Sequence, residues 1–536
     1  MFRNGLLVFI LFLFFSSVLP AQEALKSAEE EYYDFLALQG LTERPALNYR
    51  TLSDSVWSID EAASHPWQGQ NLGEWYNLFG DFRMRSYGPE LFMSGNTAAP
   101  YGQNDGVLWQ GRGFNALLKG GVRFEGYGIE LTLLPHFAFS QNVEFKIMPS
   151  AYENKYGYFW GYGVDAPQRF GDKPFFDWDF GDSEIRYTWK TLTVGFGTQA
   201  IWLGPAYLNS MLHSNNAPAY PKFDIGLRRQ KIIIPRLGWY LGDVEARLWV
   251  GQLAESDYFD SDDSNNYTMF HGFSFAYAPS FLPGLTLFAN RVCLVPWEWK
   301  NLKYIFPNNN NTLEDQKASF GFSWIFPQVG FEVFGELGID DFISDRFMGM
   351  LRHPFHTTVY TGGLKKTMQI KPEKYIYGEI IFEFNWMEMS QDFQFQWPYS
   401  FYFHHQMIHG YTNRGQWLGN NSSPGGNSQY LSFKLYYPKG NSSFFISRNN
   451  PDNNYLYQKA IYSSAEGGML DMEVRRHNKA NFNVGLNSIY FFKTYFLFSG
   501  GIVYNLIINP EYKIKNESRR IYQHNISFPL YLKFTL

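Results

Sequence analysis

Two histidines, His405 and His409, stand four residues apart, which is the spacing of a zinc site built on one face of a helix. Such a site also uses an intervening Glu as general base, and Gln406 occupies that place here. Gly410 and the surrounding aromatic residues favour a strand or a turn, in which residues i and i+4 lie about 13 Å apart. We therefore predict no metal site and no cofactor.

The run His213, Ser214, Asn215 and Asn216 contains the side chains of a serine hydrolase that uses Ser, His and Asn. Adjacent residues of a strand point to opposite faces, so the imidazole of His213 cannot be assumed to activate the hydroxyl of Ser214. The Gly-x-Ser-x-Gly sequence of many hydrolases does not surround Ser214. A membrane-embedded hydrolase is thus the weakest of the functions considered.

Two pairs of acids, Asp340 with Asp341 and Glu379 with Glu383, resemble the carboxyl pair of a glycosidase. On one face of a strand, Glu379 and Glu383 would lie about 13 Å apart. That separation exceeds the roughly 5–9.5 Å between the two carboxyl groups of a glycosidase. Acids that face a polar interior explain these residues better, and we predict that the protein is not an enzyme.

Two stretches instead combine aromatic rings with planar polar groups, which is how proteins bind sugars: rings pack on the apolar faces of the sugar, and amides, carboxylates and guanidinium groups bind its hydroxyls. The alternative is that the rings belong to membrane girdles and that the polar groups fill an interior. The stretches are 202–229, with Trp202, Tyr207, Asn209, Asn215, Asn216, Tyr220, Arg228 and Arg229, and 404–421, with His404, His405, His409, Tyr411, Asn413, Arg414, Trp417, Asn420 and Asn421.

The first 21 residues have the composition of a cleaved signal peptide. Arg3 supplies the positive start, Leu6 to Phe15 form an apolar run, and cleavage is predicted after Ala21. The apolar run has about ten residues, whereas a helix that spans a bilayer needs about 20. A retained anchor is therefore disfavoured, and the protein is predicted to be exported.

The remainder has an unusual composition for a large soluble protein. Aromatic residues make up 20% and charged residues 18% of the chain, whereas about a quarter of residues are usually charged. These values are typical of an outer-membrane β-barrel with an apolar lipid face, aromatic girdles and a polar inside. A secreted carbohydrate-binding sandwich or propeller is the alternative. The net charge of −5 gives no indication of a nucleic-acid partner.

Residues 22–77 are predicted to form a small α-helical region in the periplasm. Between Glu23 and Leu41 apolar residues recur at helical spacing, with acidic residues mostly opposite, and Gly40 offers a C-terminal stop. This region is too short to hold a hydrophobic core alone, so we expect it to dock on the rest of the protein.

From residue 78 the hydrophobic period changes to two, which predicts an all-β protein with a transmembrane antiparallel β-barrel over residues 78–536. Every second residue from Ile526 to Leu536 is apolar, and the span matches the 9–11 residues of a membrane-crossing strand. The segment Ser319 to Leu337 reads as a hairpin that turns at 327–330, and Ile376 to Trp386 reads as another long strand. The length allows about 16–20 strands.

Polar, Asn-rich stretches separate these strands and are predicted to be long loops at one end of the barrel, with tight turns at the other. The stretches are Asp260 to Asn266, Asn308 to Asn311, Gly419 to Ser428 and Ser447 to Asn454.

Four motifs in order along the chain resemble the Wzi family of capsule-assembly proteins, from about residue 32 to residue 437. The motifs are Leu36-Ala37-Leu38-Gln39-Gly40-Leu41 with Arg44-Pro45; Asn104-Asp105-Gly106 with Trp109-Gln110-Gly111-Arg112-Gly113; Trp202-Leu203-Gly204-Pro205 with Ser214-Asn215-Asn216-Ala217-Pro218 and Pro221; and His404-His405, Gly410-Tyr411 and Gly415-Gln416-Trp417-Leu418-Gly419.

The resemblance implies a barrel of 18 strands with a small helical bundle at its periplasmic end. It also implies lectin-like, non-catalytic attachment of capsular or exopolysaccharide at the surface of a Gram-negative-type cell. By motif position, the candidates for contact with the glycan or the lumen are Trp202, Asn215, Asn216, Arg228, His404, His405 and Tyr411.

The expected partners are the polysaccharide, outer-membrane lipid and the barrel-assembly machinery, and the expected state is a monomer. An outer-membrane porin or channel for small solutes is the alternative function. Planar-bilayer conductance separates the two, because a filled lumen passes little current.

Overall fold

A computed structural model of the chain describes residues 21–22, 27–59, 63–161, 163–306, 313–340, 348, 351–352, 358–388, 400–465, 476–516 and 519–535. Residues 1–20 of the predicted signal peptide lie outside the described residues. No helix among the described residues is both long enough and apolar enough to cross a membrane.

Within the described residues the strands form one closed antiparallel barrel of 18 strands. The sequence pattern predicts the barrel, and the family resemblance implies the number of strands. In chain order the strands β1 to β18 are Arg83–Asn96, Gly113–Gly126, Ile129–Leu133 with His136–Ser140, Phe175–Asp179 with Glu184–Trp189, Leu192–Gly197, Lys222–Ile233, Tyr240–Ala254, Tyr267–Pro279, Leu285–Pro296, Asp315–Phe326, Phe331–Asp340, Thr358–Lys371, Ile376–Trp386, Asn427–Tyr437, Gly440–Asn450, Ala480–Lys493, Phe496–Ile508, and Tyr522–Ser527 with Leu530–Phe534.

Three of these strands are interrupted, and two of the interruptions contain a proline. Pro135 separates the halves of β3 and Pro529 separates the halves of β18; proline has no N–H to donate to a neighbouring strand. The last strand still closes the barrel against the first, with Leu530 opposite Met93 and Lys533 opposite Glu90. The break at Pro529 therefore bends the closing strand without opening the sheet.

The two faces of the strands differ as a membrane barrel requires. On β3, Ile129, Leu131 and Leu133 are exposed on the outside, whereas Glu130 and Thr132 are buried inside. Side chains of a strand alternate between its faces, so one sequence supplies both surfaces. The predicted alternation, apolar outside and polar inside, is confirmed.

Short turns join the strands at one end of the barrel and long connections join them at the other. At the short end, a 3-10 turn over Pro327–Val329 joins β10 to β11, as predicted for that hairpin. The strand predicted from Ile376 to Trp386 has those bounds in the structure. The long connections are 97–112, 141–174, 198–221, 255–266, 297–314, 341–357, 387–426, 451–479 and 509–521.

The predicted polar loops fall mostly in these long connections. Residues 260–266 and 419–426 do so, and 308–311 lie outside the described residues. The loop predicted from Ser447 to Asn454 was wrong in its first half. Ser447 and Asn449 belong to β15 and pair with Asn483 and Asn481 of β16, because they supply the polar inner face of a strand.

One helix, α1 (Ala28–Leu38), lies at the short-turn end and docks on the barrel, as predicted. Ser27 caps it by accepting the N–H of Glu30 through its Oγ (3.0 Å). The ring of Tyr32, on this helix, stacks on the ring of Trp67 with 4.0 Å between the two centroids. Its acidic side pairs with wall lysines, Glu31 with Lys434 (2.7 Å) among them. The helix is thus held on both faces.

After α1 the chain enters the lumen as an extended segment, residues 42–57, which we call the plug segment. Its Asp54 forms ion pairs with Arg228 of β6 and Arg247 of β7, each at 2.9 Å. Glu245 of β7 accepts the backbone N–H groups of residues 47–49 at 2.7–3.0 Å. Wall and plug segment are therefore joined by buried charges that are paired or hydrogen-bonded.

The variant Asp54→Asn should destabilise the folded barrel. Removing one partner of a buried ion pair costs about 3–5 kcal/mol, because the remaining charges stay out of water. We expect the temperature at which the folded gel band converts to the unfolded band to fall by several degrees. Asp263→Asn, in the exposed 255–266 loop, is the control and should leave that temperature unchanged. Equal transition temperatures for Asp54→Asn and wild type would contradict the assigned role.

Candidate functional site

The lumen of the barrel is filled by the loops 198–221 and 400–426, which fold inward over the plug segment. Their side chains form one apolar cluster with the inner wall, in which Leu203, Tyr402 and Leu418 pack with Trp249 and Phe270, all almost fully buried. Because the cluster joins the loops to the wall, the loops are part of the hydrophobic core.

The 198–221 loop is anchored by one carboxylate of the wall. Glu383 of β13 accepts the backbone N–H groups of Tyr207 (2.5 Å), Leu208 (3.1 Å) and Asn209 (2.9 Å), and the Asn209 side-chain amide at 2.8 Å. Hydrogen bonds to an ionised acceptor are the strong ones. Glu383 therefore holds this loop as Glu245 holds the plug segment.

A tight hairpin in the 400–426 loop positions its contact residues. The strands Thr412–Asn413 and Gln416–Trp417 are joined by Arg414 and Gly415, both at positive φ (50° and 78°), as a two-residue hairpin turn requires. This turn directs the ring of Trp417 into the core and its backbone toward the 198–221 loop.

The motifs that resemble the Wzi family meet one another in the lumen. Asn216 donates to the carbonyl of Trp417 (3.0 Å), and Gln416 donates to the carbonyl of Gly106 (3.0 Å). Gly106 in turn donates its N–H to the carbonyl of Asn215 (2.9 Å). Segments far apart in sequence thus pack together inside the barrel. We call these loops and the plug segment together the plug.

Between this plug and the inner wall of β14 to β18 lies a cavity of about 1510 Å³, at the end of the long loops. The loops 97–112, 141–174 and 509–521 form its other sides. Lys146 and Lys513, two of its lining residues, are exposed, so they mark its mouth. Pockets for drug-sized ligands measure about 300–1,000 Å³, so this cavity has room for several sugar rings.

The wall of the cavity is rich in side-chain amides. Asn481, Asn483 and Asn487 face inward from β16, and Asn505 does so from β17. Asn483 donates to Ser447 Oγ (2.9 Å), and Asn505 donates to Asn483. Within the described part of the chain, the Oδ1 atoms of Asn481 and Asn505 accept no hydrogen bond. Both atoms are buried, although the two residues line the cavity, so their amide groups can bind a ligand's hydroxyls once they turn toward it.

Aromatic rings line the cavity as well. Trp109 of the 97–112 loop is partly exposed and packs on Phe170 at 5.1 Å between centroids. On the wall, Tyr430 lies 5.6 Å from Phe445. Rings beside amide groups form a surface that suits the apolar faces and the hydroxyls of sugars.

A partly buried acid completes the lining. Asp105 accepts a hydrogen bond from Gln110 Nε2 (2.7 Å), and removal from water raises the pKa of its carboxyl to about 7. The Asp105 carboxyl therefore titrates near neutral pH.

The seven sequence candidates are divided between this cavity and the plug. Asn216 lines the cavity, and Asn215 lines a second one of about 210 Å³. Trp202 pairs with the backbone of Arg50 in the plug segment, at 2.9 and 3.1 Å. Arg228 binds Asp54 and Glu130 at 2.9 and 2.8 Å.

The other three candidates, His404, His405 and Tyr411, belong to the 400–426 loop. His404 Nδ1 accepts the N–H of Met407 (3.0 Å), which closes a turn, and His405 is exposed. Tyr411 is fully buried and donates to the carbonyl of Leu212 (2.7 Å). As sugar contacts all seven stay predictions. The hydrogen bonds and ion pairs of the six other than His405 hold the plug together.

The residues considered for catalysis have other partners. His213 Nε2 lies 2.7 Å from Tyr220 Oη, whereas Ser214 Oγ donates to the carbonyl of Gly419 (2.9 Å). Burial lowers the pKa of His213 to about 3, so its imidazole is neutral. His409 is buried against Thr268 Oγ1 (2.9 Å) while His405 is exposed. No cluster of three or more metal-ligating side chains occurs among the described residues.

Sequence reasoning missed the wall of the cavity. Its signal is the period of two in Asn481, Asn483 and Asn487, which places three amides on the inner face of one strand. The sugar-binding candidates that sequence predicts lie in loop motifs, where rings and amides are densest, and these segments form mostly the plug.

Comparison with known proteins agrees with this architecture. The family model described as capsule assembly protein Wzi matches residues 126–292. No curated protein sequence matches the chain. The fold is similar to that of Wzi from Escherichia coli, described as an outer-membrane protein involved in group 1 capsule assembly and as a carbohydrate-binding β-barrel. The match has 12% identity and a TM-score of 0.58 and covers 97% of this chain and 100% of that one.

Two other solved structures match with lower TM-scores. OprB of Pseudomonas putida has 11% identity, coverage of 85% and 94%, and a TM-score of 0.36. OccK8 of Pseudomonas aeruginosa has 9% identity, coverage of 85% and 98%, and a TM-score of 0.37.

The resemblance to the Wzi capsule-assembly family that the four motifs predict is confirmed by the family model over residues 126–292 and by the barrel fold shared with E. coli Wzi.

Proposed function

We propose that this protein is an outer-membrane barrel that holds capsular or extracellular polysaccharide at the cell surface by non-catalytic binding. The observation that carries the proposal is the cavity beside the plug, with its amide wall and aromatic loop. The description of E. coli Wzi as a carbohydrate-binding barrel in capsule assembly supports this assignment.

The proposed orientation follows from the asymmetry of the barrel. Outer-membrane barrels have short periplasmic turns and long extracellular loops. The mouth of the cavity then faces outward, and α1 lies in the periplasm. Residues 1–21 are removed as a signal peptide, residues 22–77 form the periplasmic and plug region, and residues 78–536 form a monomeric barrel inserted by the barrel-assembly machinery.

Binding without catalysis agrees with the geometry. The hydroxyl of Ser214 and the imidazole of His213 hydrogen-bond to different groups, and Glu383 is occupied by backbone N–H groups. The amides and rings of the cavity, by contrast, offer many weak contacts to hydroxyls and sugar faces, which suits retention of a polymer.

Trp109→Ala should weaken polysaccharide binding about tenfold, the equivalent of about 1.4 kcal/mol, because a partly exposed ring on which a sugar can pack is lost. The measurement is titration of the detergent-purified protein with polysaccharide from the producing strain. Cells that carry the variant should also shed more polysaccharide into the medium.

The matched control for this variant is Trp299→Ala. Trp299 is 84% exposed in a loop that does not line the cavity, so its loss should leave binding unchanged. If Trp109→Ala binds as wild type does, or if Trp299→Ala loses as much affinity, the cavity is not the binding site.

The wild-type protein should pass little ionic current in planar bilayers, because the loops 198–221 and 400–426 fill its lumen. Glu383→Ala should produce transient openings, since three backbone N–H groups of the loop lose their acceptor. The control is Glu373→Ala, in the exposed turn that immediately precedes β13, the strand of Glu383. A large steady wild-type current would favour the porin alternative.

A further inference from the structure

The inner wall of the barrel is divided by charge. Over much of its circumference buried cations are paired with carboxylates, as Arg123 is with Glu130 (2.6 Å) and Arg186 with Asp224 (2.5 Å). Where the wall lines the cavity, the inward side chains of β15 to β17 are neutral; they are Ser447, Asn449, Asn481, Asn483 and Asn505. The charged part holds the plug, and the neutral part faces the open space.

Two cations lie in this neutral part. Arg448 of β15 donates to the side-chain oxygens of Asn427 and Gln429, whereas no such bond is made by Lys479 within the described part of the chain. Lys479 lines the cavity immediately before β16 and two residues before Asn481, so both side chains point the same way, about 7 Å apart. Among the described residues its ammonium group has no ion-pair or hydrogen-bond partner. Glu511 acts on it only from a longer distance and lies 3.8 Å from Lys513.

An ammonium group in such surroundings is incompletely compensated. Burial lowers the pKa of Lys479, because the charged form loses hydration. The lysines on the paired part of the wall have carboxylates instead, as Lys365 has Asp34 at 2.6 Å. A negative group brought by a ligand would supply the missing counter-charge.

The acceptors beside Lys479 define what the rest of that ligand offers. The side-chain amides of Asn481 and Asn505 line the cavity, and an amide group accepts hydrogen bonds from hydroxyl groups and donates to them. Cross-strand pairing places Asn481 opposite Asn449 and Asn483 opposite Asn505, so the amides form a continuous patch. One negative charge next to several hydroxyls describes an acidic sugar.

We infer that Lys479 is an anion subsite of the cavity, and that the polysaccharide held there contains a sugar with a carboxylate. The carboxylate binds the Lys479 ammonium, and neighbouring hydroxyls bind Asn481 and Asn505. This inference rests on the proposed polysaccharide-binding function and adds the chemical class of the ligand.

The test compares two forms of one polysaccharide. Extracellular polysaccharide from the producing strain is used as isolated and after chemical reduction of its carboxyl groups to alcohols. Wild-type protein should bind the native form about tenfold more tightly than the reduced form, as expected for one charge-assisted hydrogen bond. Lys479→Gln should bind both forms as wild type binds the reduced one, and Lys479→Arg should keep a preference for the native form.

The matched control is Lys513→Gln, because Lys513 is an exposed lysine at the mouth of the same cavity. This variant should keep the preference, and heat-modifiable gel migration shows that each variant is folded. Equal binding of both forms by wild type, or an unchanged preference in Lys479→Gln, would overturn the inference alone. Binding of neither form by wild type would overturn the proposed function and the subsite with it.

Discussion

Charge pairing between the barrel wall and the segments inside it is the constraint on which the rest of the structure depends. A buried charge is costly unless it is paired or hydrogen-bonded. Asp54 supplies the carboxylate for Arg228 and Arg247, and Glu245 and Glu383 accept backbone N–H groups of the plug. Wall and plug are therefore complementary in charge.

The same constraint explains where the open space lies. The plug packs on the part of the wall whose charges it can compensate, and it leaves the part that carries neutral amides. The cavity is bounded by Asn481, Asn483 and Asn505, whose amides tolerate water or a polyhydroxyl ligand equally well. A rigid plug thus creates a preformed binding surface, and binding there costs little reordering of the protein.

The barrel could be predicted from the sequence because its signal is local. The strand from Ile376 to Trp386 and the hairpin at Pro327 are visible from alternation and turn residues alone. The docking of α1 could also be expected, since a helix of that length cannot bury its apolar residues alone.

The inward folding of the loops could not be predicted, because it depends on contacts between distant residues. Glu383 binds the N–H of Tyr207, 176 residues away, and nothing local to either residue indicates the other. Rings and amides serve buried hydrogen bonding as well as sugar binding. Motif residues such as Tyr411 and Trp202 therefore could not be assigned to plug or ligand before their neighbours were known.

The central claim is that polysaccharide occupies the cavity beside the plug. Amide hydrogen exchange of the detergent-purified barrel, with and without the polysaccharide of the producing strain, tests it most directly. Exchange should slow in 97–112 and 143–148, which line the cavity, and stay unchanged in 255–266, which does not. Slowing confined to 255–266, with 97–112 unaffected, would contradict the account.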